Sequence, residues 1–243
     1  MAQVLLINPN TTASVTDRLA PPLAEALGAA HRLRLATARF GADYIASEAS
    51  YCVAGHAALD AYACAGEGAD GVLVGCFGDP GVFALRELCP GPVIGLAEAS
   101  MRLAARRGRF AIVTGGVRWR PMLERLARTL GLEGSLQQIE LVSLTGAQLA
   151  ADPPGALRLL ARACEDATRS GADSVILGGA ALVGMAAALA PQVPVPLIDN
   201  VQAGGEMMRE ALAAAGGSAP AGPDGARWQG ISAELAALLG PRG

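Results

Sequence analysis

Residues 69–76 read ADGVLVGC and residues 172–179 read ADSVILGG. The two octapeptides lie 103 positions apart and share one pattern, an apolar run that ends in a small-residue turn. A short apolar run bounded by turn residues is the mark of a buried strand. Its recurrence points to two structural units. A second pair agrees: VLLINPNTTASVTDRL at 4–19 matches FAIVTGGVRWRPMLER at 110–125 with an offset of 106. Asn8 then corresponds to Thr114, and Cys76 corresponds to Gly179. If the halves face each other across a cleft, one wall carries a thiol and the other carries none at that position.

Working outward, strand patterns alternate with helical ones. In the first half we expect strands at Val4–Asn8, Arg32–Thr37, Gly71–Val74 and Pro92–Leu96, with helices at Thr11–Leu27, Ser47–Gly66 and Pro80–Leu88. Pro21 and Pro22 are expected to interrupt or bend the first helix. In the second half the strands are Phe110–Val113, Gln138–Leu144, Ser174–Leu177 and Val195–Ile198. The helices are Arg120–Leu130, Gly155–Ser170, Val183–Leu189 and two closing helices at 203–214 and 229–239. The GSAPAGPDG stretch at 217–225 is a loop. This alternation predicts an α/β protein of two similar, open parallel-sheet domains with an interdomain active-site cleft. The expected division is residues 1–97 plus 215–243 for the first domain and residues 98–214 for the second. Ligands of open α/β sheets bind beyond the carboxyl ends of the strands. Asn8, Cys76, Thr114 and Gly179 all fall there.

Composition narrows the classes. The chain has 243 residues, 52% of them apolar but only 4% aromatic, so alanine, leucine, glycine and valine must supply most of the core. A net charge of −3 gives no reason to expect a nucleic-acid or anionic-membrane partner. Arg102, Arg106, Arg107 and Arg109 are read as solvating a helix end. The N-terminus has no signal-peptide pattern and no segment is long and apolar enough for a span, so a cytoplasmic protein is expected. Five cysteines without a CxxC pair, and two histidines, argue against disulfides or a structural zinc site. The TGG of residues 114–116 lacks the full dinucleotide fingerprint, and there is no P-loop.

The segments LINPNTT (6–12), FGADYIASEASYCVAGHAALDAY (40–62), GCFGDPG (75–81), VIGLAEAS (93–100) and RFAIVTGG (109–116) together resemble the aspartate/glutamate/hydantoin racemase superfamily, especially its hydantoin racemase branch. The resemblance implies two similar α/β domains and a cofactor-free site between them. It also implies two cysteines on opposite walls, one removing the proton α to a carbonyl and the other returning one to the opposite face. Cys76 matches the first cysteine position; Gly179 stands at the second. The superfamily also holds arylmalonate decarboxylases and maleate cis-trans isomerases, so the fold alone does not decide the reaction.

Cys76 is the candidate catalytic residue. It follows a buried strand and precedes a glycine-rich turn, and a thiol near a helix start is biased toward thiolate. Cys52, Cys64, Cys89 and Cys164 read as packing or incidental positions. Asn8 and Asn10 are candidate substrate-binding amides, with Thr11 capping the next helix. Thr114, Gly115 and Gly116 are their second-half counterparts, the Thr114 hydroxyl being placed to stabilise an enolate-like oxygen. Gly179 and Ala180 remain an amide-rich turn able to bind an oxyanion. Tyr44 closes one side of the cleft or packs. His56 reads as structural. Asp79 orients the Cys76 turn, and Asp199 and Asn200 either line the cleft or cap a helix.

The expected function is a cofactor-independent, racemase-like carbon-acid enzyme that acts on a 5-substituted hydantoin or related cyclic ureide by Cys76 proton transfer. No metal is expected, the partner is a small-molecule substrate, and alanine-rich helices permit a homo-oligomer. The alternatives are a cysteine-dependent decarboxylase or cis-trans isomerase of a small carboxylate, and an inactive ligand-binding homologue.

Overall fold

A computed structural model of the chain describes residues 1–142, 152–214, 222 and 226–240. Among them, β1 (Ala2–Asn8), β2 (His31–Thr37), β3 (Gly71–Val74) and β4 (Val93–Gly95) form one sheet in the order β2-β1-β3-β4. A second sheet holds β5 (Phe110–Gly115), β6 (Leu136–Val142), β7 (Ser174–Gly178) and β8 (Leu197–Asp199) in the order β6-β5-β7-β8. Every pairing is parallel. The same topology thus occurs twice, as the repeated octapeptides require. The loop expected at 217–225 lies outside the described residues except for Gly222.

The helices are α1 (Ala13–Leu27), α2 (Glu48–Ala65), α3 (Val82–Leu88), α4 (Leu96–Ala105), α5 (Trp119–Thr129), α6 (Pro153–Arg169), α7 (Met185–Leu189), α8 (Asn200–Ala213) and α9 (Ala233–Leu239). The helix expected from Val183 starts at Met185, because Gly184 takes a left-handed conformation; a 3₁₀ turn at Ala180–Leu182 precedes it.

Strand side chains alternate between two cores. Leu5, Ile7, Val72 and Val74 join Ala58, Val82 and Leu85 on the outer face of the first sheet. Ala111, Val113, Val175 and Leu177 join Leu160 and Cys164 on the outer face of the second. The other face of both sheets feeds one shared core containing Val4, Leu6, Leu73, Phe110, Ile112 and Ile176. The halves are therefore held together through apolar burial, with the Arg125–Glu48 ion pair exposed at the rim.

Helices α4 and α8 occupy that shared core and are exchanged between the halves. Helix α4 follows the first sheet but packs on β7 as well as β4; α8 follows the second sheet but packs on α1, β3 and β4. The division at 97/98 thus runs through α4. Helix α4 has no counterpart in the sequence reading, and the reason is physical. It starts at Leu96 directly from β4, and Gly95 at the cap position has no side chain to mark its start. Arg102 and Arg106 do more than solvate its end. Arg102 binds the buried Glu98 at 2.8 Å, and Arg106 binds Glu210 of α8 at 2.7 Å.

Two other boundaries differ from expectation. Helix α1 runs through Pro21 and Pro22 without interruption, held by the buried stripe Thr16, Leu19, Leu23 and Leu27. Thr11 does not cap it; Thr12 occupies the cap position, and its hydroxyl donates to the Asp43 carbonyl at 2.8 Å. Helix α3 starts at Val82 and not at Pro80, because Asp79 and Gly81 both take left-handed conformations. In contrast, α2 starts within a residue of its expected position, where Ser47 caps it and Ser50 completes a reciprocal pair of bonds.

The α1–α8 contact is close enough to test. A Cβ on Gly205 would overlap the Ala26 methyl and lie 3.1 Å from the Ala26 carbonyl carbon. Gly→Ala inside a helix normally stabilises by about 1 kcal/mol. Here we expect Gly205→Ala to destabilise by about 1–3 kcal/mol through overpacking. Urea denaturation reads the sign, and a stabilised variant would refute this packing.

Candidate active site

The carboxyl ends of β1, β3, β5 and β7 surround one cavity of about 540 Å³. Its wall includes Asn10, Tyr44, Cys76, Thr114, Gly115, Gly116, Gly179 and Ala180, which were singled out from the sequence. Asn8 is the exception. It is fully buried, and its amide nitrogen serves Asn10 Oδ1, the Thr12 carbonyl and Thr16 Oγ1 at 3.0–3.1 Å. Asn8 therefore shapes the β1–α1 turn from behind. Asn10 lines the cavity; its Oδ1 accepts from Asn8 and from the Thr12 amide.

The two glycine-rich turns meet through reciprocal aromatic contacts. A Cβ on Gly178 would overlap the Phe77 ring, which comes from the turn after β3. A Cβ on Gly78 would lie 2.9 Å from Cη2 of Trp119, which opens α5 in the second half. Each half thus offers a bare glycine to an aromatic ring of the other. Cys76 and Gly179 flank the first of these contacts in sequence.

Cys76 is partly buried beside the shared core. Burial pushes its thiol well above the ordinary cysteine range, and the Asp79 carboxylate adds to that. Both effects run against the expected bias toward thiolate. Helix α3 begins six residues later and is seven residues long, too remote and too short to offset desolvation. The turn itself is tightly held. Gly78 and Asp79 amides donate to the Cys76 carbonyl at 2.9 and 3.1 Å. Tyr51 of α2 donates its hydroxyl to the Gly78 carbonyl at 2.9 Å.

Asp79 takes φ +60 and is 2% exposed. Its carboxylate accepts from the Ala97 and Glu98 amides at 2.9 and 2.7 Å, capping α4. Burial pushes this carboxyl up to about 7, against the lowering effect of the two amides. Asp79 so ties the Cys76 turn to the central helix. Asp199 makes the matching link in the other half: it accepts from Val201 and Gln202 at the start of α8 and from Gly184 after β7. Of the two roles open to it, Asp199 is a cap. Asn200 is buried and is not on the cavity wall.

On the second wall, Thr114 is 3% exposed and its hydroxyl donates to the Gly178 carbonyl at 2.9 Å. Its single proton is committed, so it does not donate to a developing enolate oxygen in this arrangement. In the 3₁₀ turn at Ala180–Leu182 the Leu182 amide donates to the Gly179 carbonyl at 3.0 Å. Tyr44 stands at the mouth, 59% exposed, and its hydroxyl and the Trp119 indole both lie near Gly116. His56 stacks edge-on to Phe40 at 4.9 Å, away from the cavity wall.

The sequence reading missed several wall residues. Val15, Ile45, Phe77 and Val142 make the wall largely apolar, and among the described residues Arg18 is its one charged side chain. Val15 and Arg18 are three apart on α1, the spacing that puts both on one helix face; that was the available signal. Among the described residues, no group of three or more His, Cys, Asp or Glu side chains is arranged to hold a metal ion. No described helix is long and apolar enough to cross a membrane.

The Asp/Glu/Hydantoin racemase family model matches residues 4–208. The chain belongs to this family. It is accordingly an isomerase of the racemase type. It is 35% identical over 218 residues to the hydantoin racemase of Rhizobium meliloti, covering 87% of this chain and 88% of that one. The allantoin racemase from Klebsiella pneumoniae superposes with a TM-score of 0.87 at 27% identity, covering 97% of this chain and 99% of the other. The allantoin racemase from Pseudomonas fluorescens gives 0.88 at 26% identity, with 94% and 100% covered.

The charge of Asp79 beside this racemase-family thiol makes a measurable prediction. Asp79→Asn removes that charge and retains a carbonyl acceptor for α4. Iodoacetamide should then alkylate Cys76 severalfold faster at neutral pH, because thiolate is the reactive form. Peptide mass spectrometry separates Cys76 from the exposed Cys52 and Cys64. An unchanged or slower rate would show that Asp79 does not hold the thiol protonated.

Proposed function

We propose that the chain is a cofactor-independent racemase of a 5-substituted hydantoin or related cyclic ureide, with Cys76 moving the proton at the substituted carbon. One observation carries this reading: the sulfur-bearing turn of one half and the amide-rich turn of the other open into the same cavity. The named relatives supply the substrate class, a cyclic ureide, by their descriptions. Residues 1–97 with 215–243 and residues 98–214 serve as the proposed lobes, with α4 and α8 as the exchanged helices.

The chemistry follows from the ring. A carbonyl adjacent to the substituted carbon delocalises the carbanion formed when its proton leaves. The Asn10 NH₂ group and the N–H groups of the 179–180 turn are proposed to hold the ring oxygens. The apolar wall around Val15, Ile45 and Val142 suits a hydrophobic substituent, and about 540 Å³ accommodates such a molecule. A thiol with a raised pKa is the stronger base once ionised, which suits a weak carbon acid.

Three measurements test the reading. Cys76→Ala should lower heavy-water exchange at the substituted carbon of a 5-alkylhydantoin by about 10³-fold; exchange at the parental rate would remove Cys76 as the base. Because the thiol titrates above its ordinary range, kcat/KM should rise about tenfold per pH unit across the neutral range, since each unit below a pKa lowers the basic form tenfold. A flat profile there would contradict a protonated resting thiol. Asn10→Ala should raise KM for the ring more than Asn8→Ser does after correction for folded fraction, because of the two only Asn10 lines the cavity.

A further inference from the structure

The two walls of the cavity are chemically unequal, and the second wall has its own construction. Gly179 takes φ +109 and ψ 147, a backbone region in which side-chain-bearing residues are strained. A Cβ placed on Gly179 would meet Thr114 Oγ1 at 3.7 Å, an ordinary contact, and no other non-neighbouring atom within 4 Å. So this turn has space for a small group beside a buried hydroxyl, while its backbone disfavours a side chain there. Thr114 is also oriented. Its proton goes to the Gly178 carbonyl at 2.9 Å, so the oxygen is left as an acceptor in a residue that lines the cavity. A hydroxyl held in this way accepts a hydrogen bond from water and leaves the other hydrogen of that water free to point elsewhere.

We propose that Thr114 positions a water molecule over Gly179, and that this water delivers the proton to the substrate face opposite Cys76. The inference rests on the racemase reading above and supplies what replaces a second thiol. Thr114 is here a positioning residue, since it acts through the water.

The steps balance without any oxidant or reductant. The Cys76 thiolate takes the proton from the ring carbon, and the C–H electron pair moves into the adjacent carbonyl to give an enolate. Cys76 is now a thiol. Water donates a proton to the opposite face, the enolate pair forms the new C–H bond, and hydroxide remains. Hydroxide then takes the thiol proton, which restores water and thiolate. In the reverse direction, hydroxide held by Thr114 is the base and the Cys76 thiol is the acid.

The two enantiomers therefore meet different bases. The enantiomer whose hydrogen faces sulfur should exchange with solvent faster than it inverts, because the thiol can return a solvent-derived proton. Its mirror image should invert with little retained exchange, because the thiol captures the enolate from the other side. Two equivalent thiols would treat the enantiomers alike.

The test uses the full chain and each enantiomer of a 5-alkylhydantoin in heavy water. Loss of the ring C–H signal by NMR gives exchange, and chiral chromatography gives inversion. For the sulfur-facing enantiomer, Thr114→Val should lower the ratio of inversion to exchange by about 100-fold, the scale of a lost proton donor. Thr114→Ser, which keeps the hydroxyl, should hold that ratio near the parental value. An unchanged ratio in Thr114→Val would overturn the proposal, whether the absolute rates persist or fall together. So would a Ser variant that behaves like Val. If the parent protein exchanges neither enantiomer above a protein-free control, the hydantoin reading itself fails and the water relay falls with it. That outcome is distinct from an active parent with an insensitive Thr114.

Discussion

The active cavity depends on backbone approach: each half presses an aromatic ring onto a glycine of the other. Phe77 lies on Gly178, and Trp119 lies on Gly78. These contacts bring two strand-end turns close enough to share one cavity, yet they use no charged group. Any side chain on either glycine would separate the walls. The apolar side chains of the cavity and the continuous core behind it, which runs from Leu6 and Leu73 to Ile112 and Ile176, follow from the same approach.

A second layer holds those turns at fixed orientation. The turn after β3 is bound through Asp79 to the start of α4, and the turn after β7 is bound through Asp199 to the start of α8. Both helices sit between the sheets and are exchanged between the halves. The site is thus framed by elements that each half supplies to the other. Asp79 also links structure to chemistry, since the carboxylate that caps α4 lies beside the Cys76 thiol and opposes its ionisation. Holding the turn and holding the proton are two consequences of one buried carboxyl.

Much of the fold was legible because parallel strands buried on both faces leave an unmistakable trace. GVLV at 71–74 and SVIL at 174–177 are continuous apolar runs, and each emerges as a strand within a residue of its expected end. Helix α4 was not legible, because it continues straight from β4 through Gly95, which has no side chain to mark where the strand ends. The strand-end rule located Cys76, Thr114 and Gly179 around one cavity. It could not separate Asn8 from Asn10, two positions apart, because the choice depends on which amide the β1–α1 turn consumes.

By itself the sequence determined the α/β class, the duplicated parallel sheets and the family, since these rest on local apolar runs, on spacing and on motifs in order. It also determined the asymmetry of one cysteine against one glycine. Only the tertiary structure decided what that asymmetry faces. The protonation of Cys76 is set by burial and by a carboxylate three residues away whose position is fixed by another helix. The hydroxyl beside Gly179 comes from a residue 65 positions earlier in the chain, brought there by the β5–β7 pairing of Thr114 with Gly178. Electrostatics and hydrogen bonding act through distance in space, which the chain acquires only on folding.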